Sequence, residues 1–127
     1  MNKNARINLY MEEIKYTERN SFLSEKNLID TIEHYSNLVL EEKDAFMSYA
    51  FARDVEIYCY NNEKRTKAAK FDEHEKVVIR SNDDGLMYLF ATEVSHAHPK
   101  NILHAMPNGL LRKKLERELR PLNEYNL

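Results

Sequence analysis

Three histidines in the C-terminal third of the chain are the residues whose type and spacing could do chemistry: His96, His98 and His104. On an extended segment, His96 and His98 project to the same side, as paired imidazole ligands of a zinc ion require. A catalytic zinc needs about three protein ligands, and neither Cys59 nor a carboxylate stands at a recognised spacing from these histidines. We therefore expect no metal ion and no other cofactor, and we expect His98 to cap a helix that begins at Pro99.

An acidic cluster at residues 72–75, Asp-Glu-His-Glu, could join His96 or His98 as the general acid and base of a hydrolase. The rest of the sequence gives this chemistry little support. The chain has only two glycines, and it contains none of the patterns GxxxxGK, GxGxxG, GxSxG or CxxC. We therefore expect a protein that is not an enzyme, and a hydrolase that uses His96, His98 and His104 is the third reading.

Two groups of basic residues could bind nucleic acid. The first group is Lys64, Arg65, Lys67 and Lys70, and the second is Lys113, Arg117 and Arg120. The formal net charge of -2 gives no overall attraction to phosphate. Glu116 and Glu118 lie among the cations of the second group and reduce its positive charge. A nucleic-acid-binding regulator is therefore the alternative reading.

Tyrosine and methionine indicate a different partner. The chain has eight tyrosines, five methionines and no tryptophan, and these side chains are common in the cores of protein interfaces. Tyr58, Tyr60 and Tyr88 lie on segments that we predict to be strands, which makes them candidates for partner contact. We expect a small protein that binds and regulates or inhibits a macromolecular partner, above all a protein. In composition it is similar to enzyme antagonists, immunity proteins and regulators of phages and mobile elements.

Length and composition limit the class of protein. A chain of 127 residues with 43% hydrophobic and 31% charged residues predicts a single folded domain. No apolar run approaches the length of a bilayer helix, and residues 1–16 lack the apolar run of a signal peptide. The single cysteine, Cys59, fits a reducing compartment. We expect a cytoplasmic protein without a membrane partner, and the sequence leaves the oligomeric state open.

The element that would position these side chains is a predicted β-hairpin over residues 76–94. Two apolar runs, residues 77–79 and 86–94, flank Asn-Asp-Asp-Gly, and Gly85 would supply the positive φ of a tight turn. Residues 54–60 alternate in the manner of a further strand. These segments predict a small antiparallel sheet of about three strands.

Helices are predicted on both sides of this sheet. Residues 5–18 fit a helix or a strand, and residues 24–53 fit one helix or two, with residues 36–37 as the expected break. A short helix is expected after Pro99, and an amphipathic helix over Leu110 to Arg120 presents an apolar stripe. The stripe is made by Leu111, Leu115 and Leu119. The predicted fold is therefore a single α+β domain, residues 1–127, with the sheet packed against N-terminal and C-terminal helices.

Overall fold

The computed structural model describes residues 2–20 and 24–125, with side chains as far as residue 119, and the secondary structure of this part of the chain is entirely helical. The helices are α1 (Lys3–Arg19), α2 (Glu25–Glu42), α3 (Ala45–Cys59), α4 (Glu63–Ala69), α5 (Phe71–Arg80), α6 (Asp84–Glu93), α7 (Pro99–Ala105) and α8 (Leu110–Tyr125). The predicted α+β fold with an antiparallel sheet is therefore wrong.

The predicted hairpin is a pair of packed helices, α5 and α6. The turn lies where the sequence places it, but Asn82, not Gly85, has the positive φ, at 56°. The side chain of Asp83 accepts a hydrogen bond of 3.0 Å from the backbone N–H of Leu86 and so caps α6. Gly85 lies in the first helical turn of α6, which makes the prediction for its φ wrong.

The buried residues of α5 and α6 explain why helices form here. They recur at intervals of three and four: Phe71, His74, Glu75 and Val78 on α5, then Met87, Phe90 and Ala91 on α6, followed by Val94. This is the spacing of one helix face. On α5 two of the four buried residues are polar, so a count of apolar residues alone conceals the helical period.

The segment 54–60, which we expected to be a strand, is the C-terminal part of α3 and its cap. Val55 and Cys59 are buried and four residues apart, so they share the inner face of the helix. Ile57 points outward and is 76% exposed. The alternation of hydrophobic residues is therefore real in the sequence, but its members lie on opposite sides of one helix.

The N-terminal half consists of three helices. Residues 5–18 belong to α1, and residues 24–53 divide into α2 and α3. The break lies at Lys43, which has a left-handed φ of 53°, and Asp44, which caps α3 by accepting from the N–H of Met47. The break expected at residues 36–37 is wrong, because this part of α2 is an uninterrupted helix.

Helix α3 lies at the centre of the fold and packs against α1, α2, α4, α5 and α6. Helix α8 joins through α6 and α7. Leu115 is buried, and Leu111 and Leu119 pack against the core, so the apolar stripe predicted for α8 is confirmed. The helix continues to Tyr125, past the end expected at Arg120. None of the helices in the described ranges has the length and apolar composition needed to cross a membrane.

Candidate functional site

A cleft of about 740 Å³ lies between α4, the first turn of α5 and the loop of residues 94–98. Its lining includes His96 and His98 from the loop, Lys67 from α4, Lys70 between the two helices and Asp72 from α5. Residues 63–75, which contain the first basic group and the acidic cluster, form α4, Lys70 and the start of α5. Lys70 is the only residue between α4 and α5, and it has a left-handed conformation with a φ of 58°. One wall of the cleft is therefore formed by two consecutive helices.

His98 is bound by a buried carboxylate. Its backbone N–H donates to Oε1 of Glu75 at 2.7 Å, and its Nδ1 lies 3.2 Å from Oε2 of the same residue. The Glu75 side chain is 7% exposed, whereas that of His98 is 51% exposed. Asp72 is a weaker neighbour, with its Oδ1 3.7 Å from the same Nδ1. His98 is the N-cap residue of α7, as expected, but its side chain bonds to Glu75 and makes no capping hydrogen bond.

His96 is bound to a different helix. Its backbone N–H donates to Oε1 of Glu56 at 3.2 Å, and its Nδ1 lies 3.5 Å from that oxygen. Its ring stacks on Phe71, with centroids 4.2 Å apart and an interplanar angle of 6°. The two loop histidines therefore have separate carboxylate partners, on α3 and α5. His104 is exposed on α7, and in the described ranges no three His, Cys, Asp or Glu side chains form a group that could hold a metal ion.

The pairing of Glu75 with His98 could orient an imidazole as a base, but the hydroxyl and thiol of the cleft are not activated. Burial raises the pKa of Cys59 to about 12, so its thiol stays protonated at neutral pH. The hydroxyl of Thr66 donates to the backbone oxygen of Asn62 at 2.9 Å. The cleft geometry fits a fixed loop more closely than a nucleophilic site.

The histidine of the acidic cluster, His74, lies away from the cleft in the core. It is fully buried between Ser36 of α2 and Ser48 of α3, at 2.8 Å from Nε2 and 3.0 Å from Nδ1. The Ser36 hydroxyl also donates to the backbone oxygen of Ala69 at 2.7 Å. Its single proton is thereby used, so Ser36 accepts from Nε2–H of His74, and Ser48 donates to Nδ1.

This hydrogen-bond pattern requires a neutral His74. Burial lowers its pKa to about 3, the Ala69 carbonyl acts in the opposite direction, and Lys70 lowers the pKa further. The imidazole therefore joins α2, α3 and the end of α4 as an uncharged bridge. Sequence reasoning missed this role. The available signal was helical spacing, which places His74 on the same face as Phe71 and Val78.

The first basic group is partly used inside the protein. Arg65 donates to both carboxylate oxygens of Glu25, at 2.7 and 2.9 Å, and to the backbone oxygen of Tyr58 at 3.0 Å. Lys70 donates to Oδ1 of Asn37 at 2.7 Å. Of the predicted group of four, Lys64 and Lys67 are exposed, whereas Arg65 and Lys70 are partly buried.

The second basic group lies elsewhere. Lys113 and Arg117 are exposed on α8, and the side chain of Arg120 lies outside the described part of the chain. Helix α4 packs against α2 and α3, whereas α8 packs against α6 and α7. The two predicted basic groups therefore belong to separate regions of the protein.

The three candidate tyrosines share no platform. Tyr58 is partly buried against the core, and Tyr88 donates its hydroxyl to Glu118 of α8 with Lys114 over its ring. Only Tyr60 is largely free, with 80% of its surface exposed. Ile57, which sequence reasoning placed inside a sheet, is exposed one turn before it.

No protein-family model, no curated protein and no solved structure matches this chain.

Proposed function

We propose that this chain is a non-enzymatic protein that binds and regulates or inhibits a protein partner, and that Ile57 and Tyr60 are the centre of the contact. The observation that supports this is their exposure: the two residues are 76% and 80% exposed. They lie about one turn apart at the end of α3, the helix at the centre of the fold. Exposed single apolar residues are common on monomers. Tyrosine, however, is among the residues that dominate the binding energy of protein interfaces, and Ile57 adds exposed apolar surface about one turn away from Tyr60.

The polar neighbours of this pair support the same proposal. Arg53 lies one turn before Ile57 and forms a two-point ion pair with Asp54, with distances of 2.8 and 3.2 Å. The Arg53 guanidinium also lies 5.1 Å from the centroid of the Tyr49 ring. Arg53 is thus a polar group, fixed by its ion pair with Asp54, next to two exposed apolar side chains. This arrangement is typical of protein interfaces, in which polar residues form a rim around an apolar centre.

The alternative partner is a nucleic acid, and α8 is the region that favours it. Lys113 and Arg117 are four residues apart and exposed, so they point to the same side of the helix. We place nucleic acid second because Arg65 and Lys70 of the other basic group already bind Glu25 and Asn37. For the location we propose the cytoplasm, on the basis of the single unpaired thiol.

The test is a quantitative capture of partners from host lysate with a matched pair of variants. The test variant changes Ile57→Ser and Tyr60→Ser, and the control changes Leu9→Ser and Tyr16→Ser, which removes an exposed aliphatic and an exposed tyrosine from α1. We expect proteins that bind the wild type and the control but not the test variant. The purified partner should then bind the test variant at least ~30-fold more weakly, the effect of one anchor residue.

Equal capture by all three proteins would contradict the proposal. Capture of nucleic acid in place of protein, with an affinity that falls steeply with salt and is lost in Lys113→Glu/Arg117→Glu, would support the alternative.

A further inference from the structure

A second surface feature is a groove of about 510 Å³ between the end of α2 and the outer face of α5. Its apolar lining consists of Leu40 from α2 and Val77 from α5, both partly exposed. Three exposed cations surround them: Lys43 at the C-cap of α2, and Lys76 and Arg80 on α5. Lys76 and Arg80 are four residues apart and therefore lie along one side of the helix.

The positive charge of this groove is not neutralised by its neighbours. Glu42 and Asp44 flank Lys43 in the sequence, but they are paired with Arg6 and Lys3 of α1. Within the described ranges, Lys43, Lys76 and Arg80 form no salt bridge, and Glu73 is the one acidic residue in the lining. A chain with a net charge of -2 thus has a locally cationic groove.

We propose that this groove binds an acidic amphipathic segment of a protein partner. Apolar side chains of the segment would cover Leu40 and Val77, while its carboxylates would face Lys43, Lys76 and Arg80. Charge complementarity selects the acidic character, because none of the three cations forms a salt bridge within the described part of the chain. The apolar lining selects a peptide over a nucleic acid, since the described residues that line the groove include no aromatic ring on which a base could stack.

This inference is independent of the contact proposed for Ile57 and Tyr60, because the groove is built by other helices. The probe is a capped synthetic peptide of about four helical turns, with leucines on one face and glutamates elsewhere. One control peptide carries lysine in place of glutamate, and another carries alanine in place of leucine. Each is titrated into the isotope-labelled 127-residue chain while the backbone amide resonances are followed.

The test variant is Lys76→Glu/Arg80→Glu, and its matched control is Lys113→Glu/Arg117→Glu. Both change two exposed cations four residues apart on one helix, so their effect on net charge is the same. We expect the acidic peptide to shift the amides of Leu40, Lys43 and Val77 and to bind at least ~10-fold more weakly to the test variant. The control variant should bind it within about 2-fold of the wild type, and the lysine and alanine peptides should bind weakly.

Several results would overturn the proposal. These are no binding of the acidic peptide, equal binding of the lysine peptide, an equal loss in both double variants, or shifted amides on other helices. Displacement of the peptide by vesicles of phosphatidylcholine and phosphatidylserine, or by a single-stranded oligonucleotide that binds more tightly, would instead make the groove a site for lipid or nucleic acid. The Ile57→Ser/Tyr60→Ser variant should retain peptide binding, so failure here and failure of the proposed function are distinguishable.

Discussion

The core around His74 and the loop of residues 94–98 both contain histidine, yet they hold the imidazole in opposite ways. His74 is fully buried, with its two ring nitrogens beside the hydroxyls of Ser36 and Ser48, whereas His98 is half exposed and faces the carboxylate of Glu75. A hydroxyl can donate or accept, so a neutral ring can be satisfied without any charge entering the core. The comparison indicates that burial determines which kind of partner each histidine has.

Glu75 directly follows His74 on α5 and is also buried, but it cannot be treated in the same way. A carboxylate that is taken out of water needs donors. Glu75 finds one in the backbone N–H of His98 and faces the imidazole of the same residue. The buried acid therefore fixes the loop, and the loop in turn satisfies the acid.

Replacing the interior histidine should have the largest effect. His74→Ala leaves a cavity and removes the partner of both Ser36 and Ser48, so we expect a loss of roughly 3 kcal/mol or more in the free energy of unfolding. His98→Ala removes a half-exposed ring and should lose less than about 1 kcal/mol. Urea unfolding of both variants measures these values. Equal losses would mean that the interior cluster has no special role.

Acid should weaken the fold through His74 in particular. Its pKa is about 3 in the folded protein, compared with 6.5 for an unperturbed histidine, the value that applies to the unfolded chain. Between these two pH values the unfolded chain binds a proton at His74 that the folded protein does not bind. The contribution of the neutral His74 to the free energy of unfolding is therefore fully present above pH 6.5 and decreases as the pH is lowered. The loss from this group approaches ~1.4 kcal/mol per pH unit across the window.

The measurement is the unfolding free energy of the wild type and of His74→Gln as a function of pH. Carboxylates contribute similarly to both proteins, so the difference between the two curves isolates His74. It should shrink as the pH falls from 6.5 toward 3. A difference that is independent of pH would show that His74 is not held neutral.

The helical reading of α5 could have come from the sequence only if polar residues were allowed on its buried face. The apolar runs at residues 77–79 and 86–94 predict a hairpin, whereas the buried face of α5 also includes His74 and Glu75 between Phe71 and Val78. Two of the sequence signals are present in the structure: the turn near Asn82 and the apolar stripe of α8.

The candidate site depends on tertiary packing that no local pattern encodes. The sequence suggested that His98 could meet an acid in residues 72–75, and the structure brings Asp72 and Glu75 to it. The sequence could not show that His74, in the same segment, faces the core and not the cleft. Nor could it identify Glu56 as the partner of His96, since these residues are 40 positions apart.

Removing the carboxylate that holds His98 should have an intermediate effect. Glu75→Ala leaves the His98 backbone N–H without its acceptor, and we expect a loss of about 1–3 kcal/mol. Asp72→Ala is the control, because that side chain is 73% exposed and 3.7 Å from the imidazole, and exposed pairs contribute less than about 1 kcal/mol. Urea unfolding checks both values. A control loss as large as that of Glu75→Ala would contradict the assigned role of Glu75.

The smallest effect is expected at Glu56, which holds His96 through its backbone N–H but lacks the ring hydrogen bond that Glu75 makes with His98. Its carboxylate is 3.2 Å from the His96 backbone nitrogen, compared with 2.7 Å for Glu75 and His98. Its side chain is also more exposed, 18% compared with 7%. Water can therefore replace part of the lost hydrogen bond, and Glu56→Ala should lose about 1 kcal/mol or less.

Amide hydrogen exchange then tests whether the two attachments are independent. Each variant should lose protection at the amide of its own histidine. If both amides exchange faster in both variants, the loop opens as one unit, and the difference between the two carboxylates has no consequence for its stability.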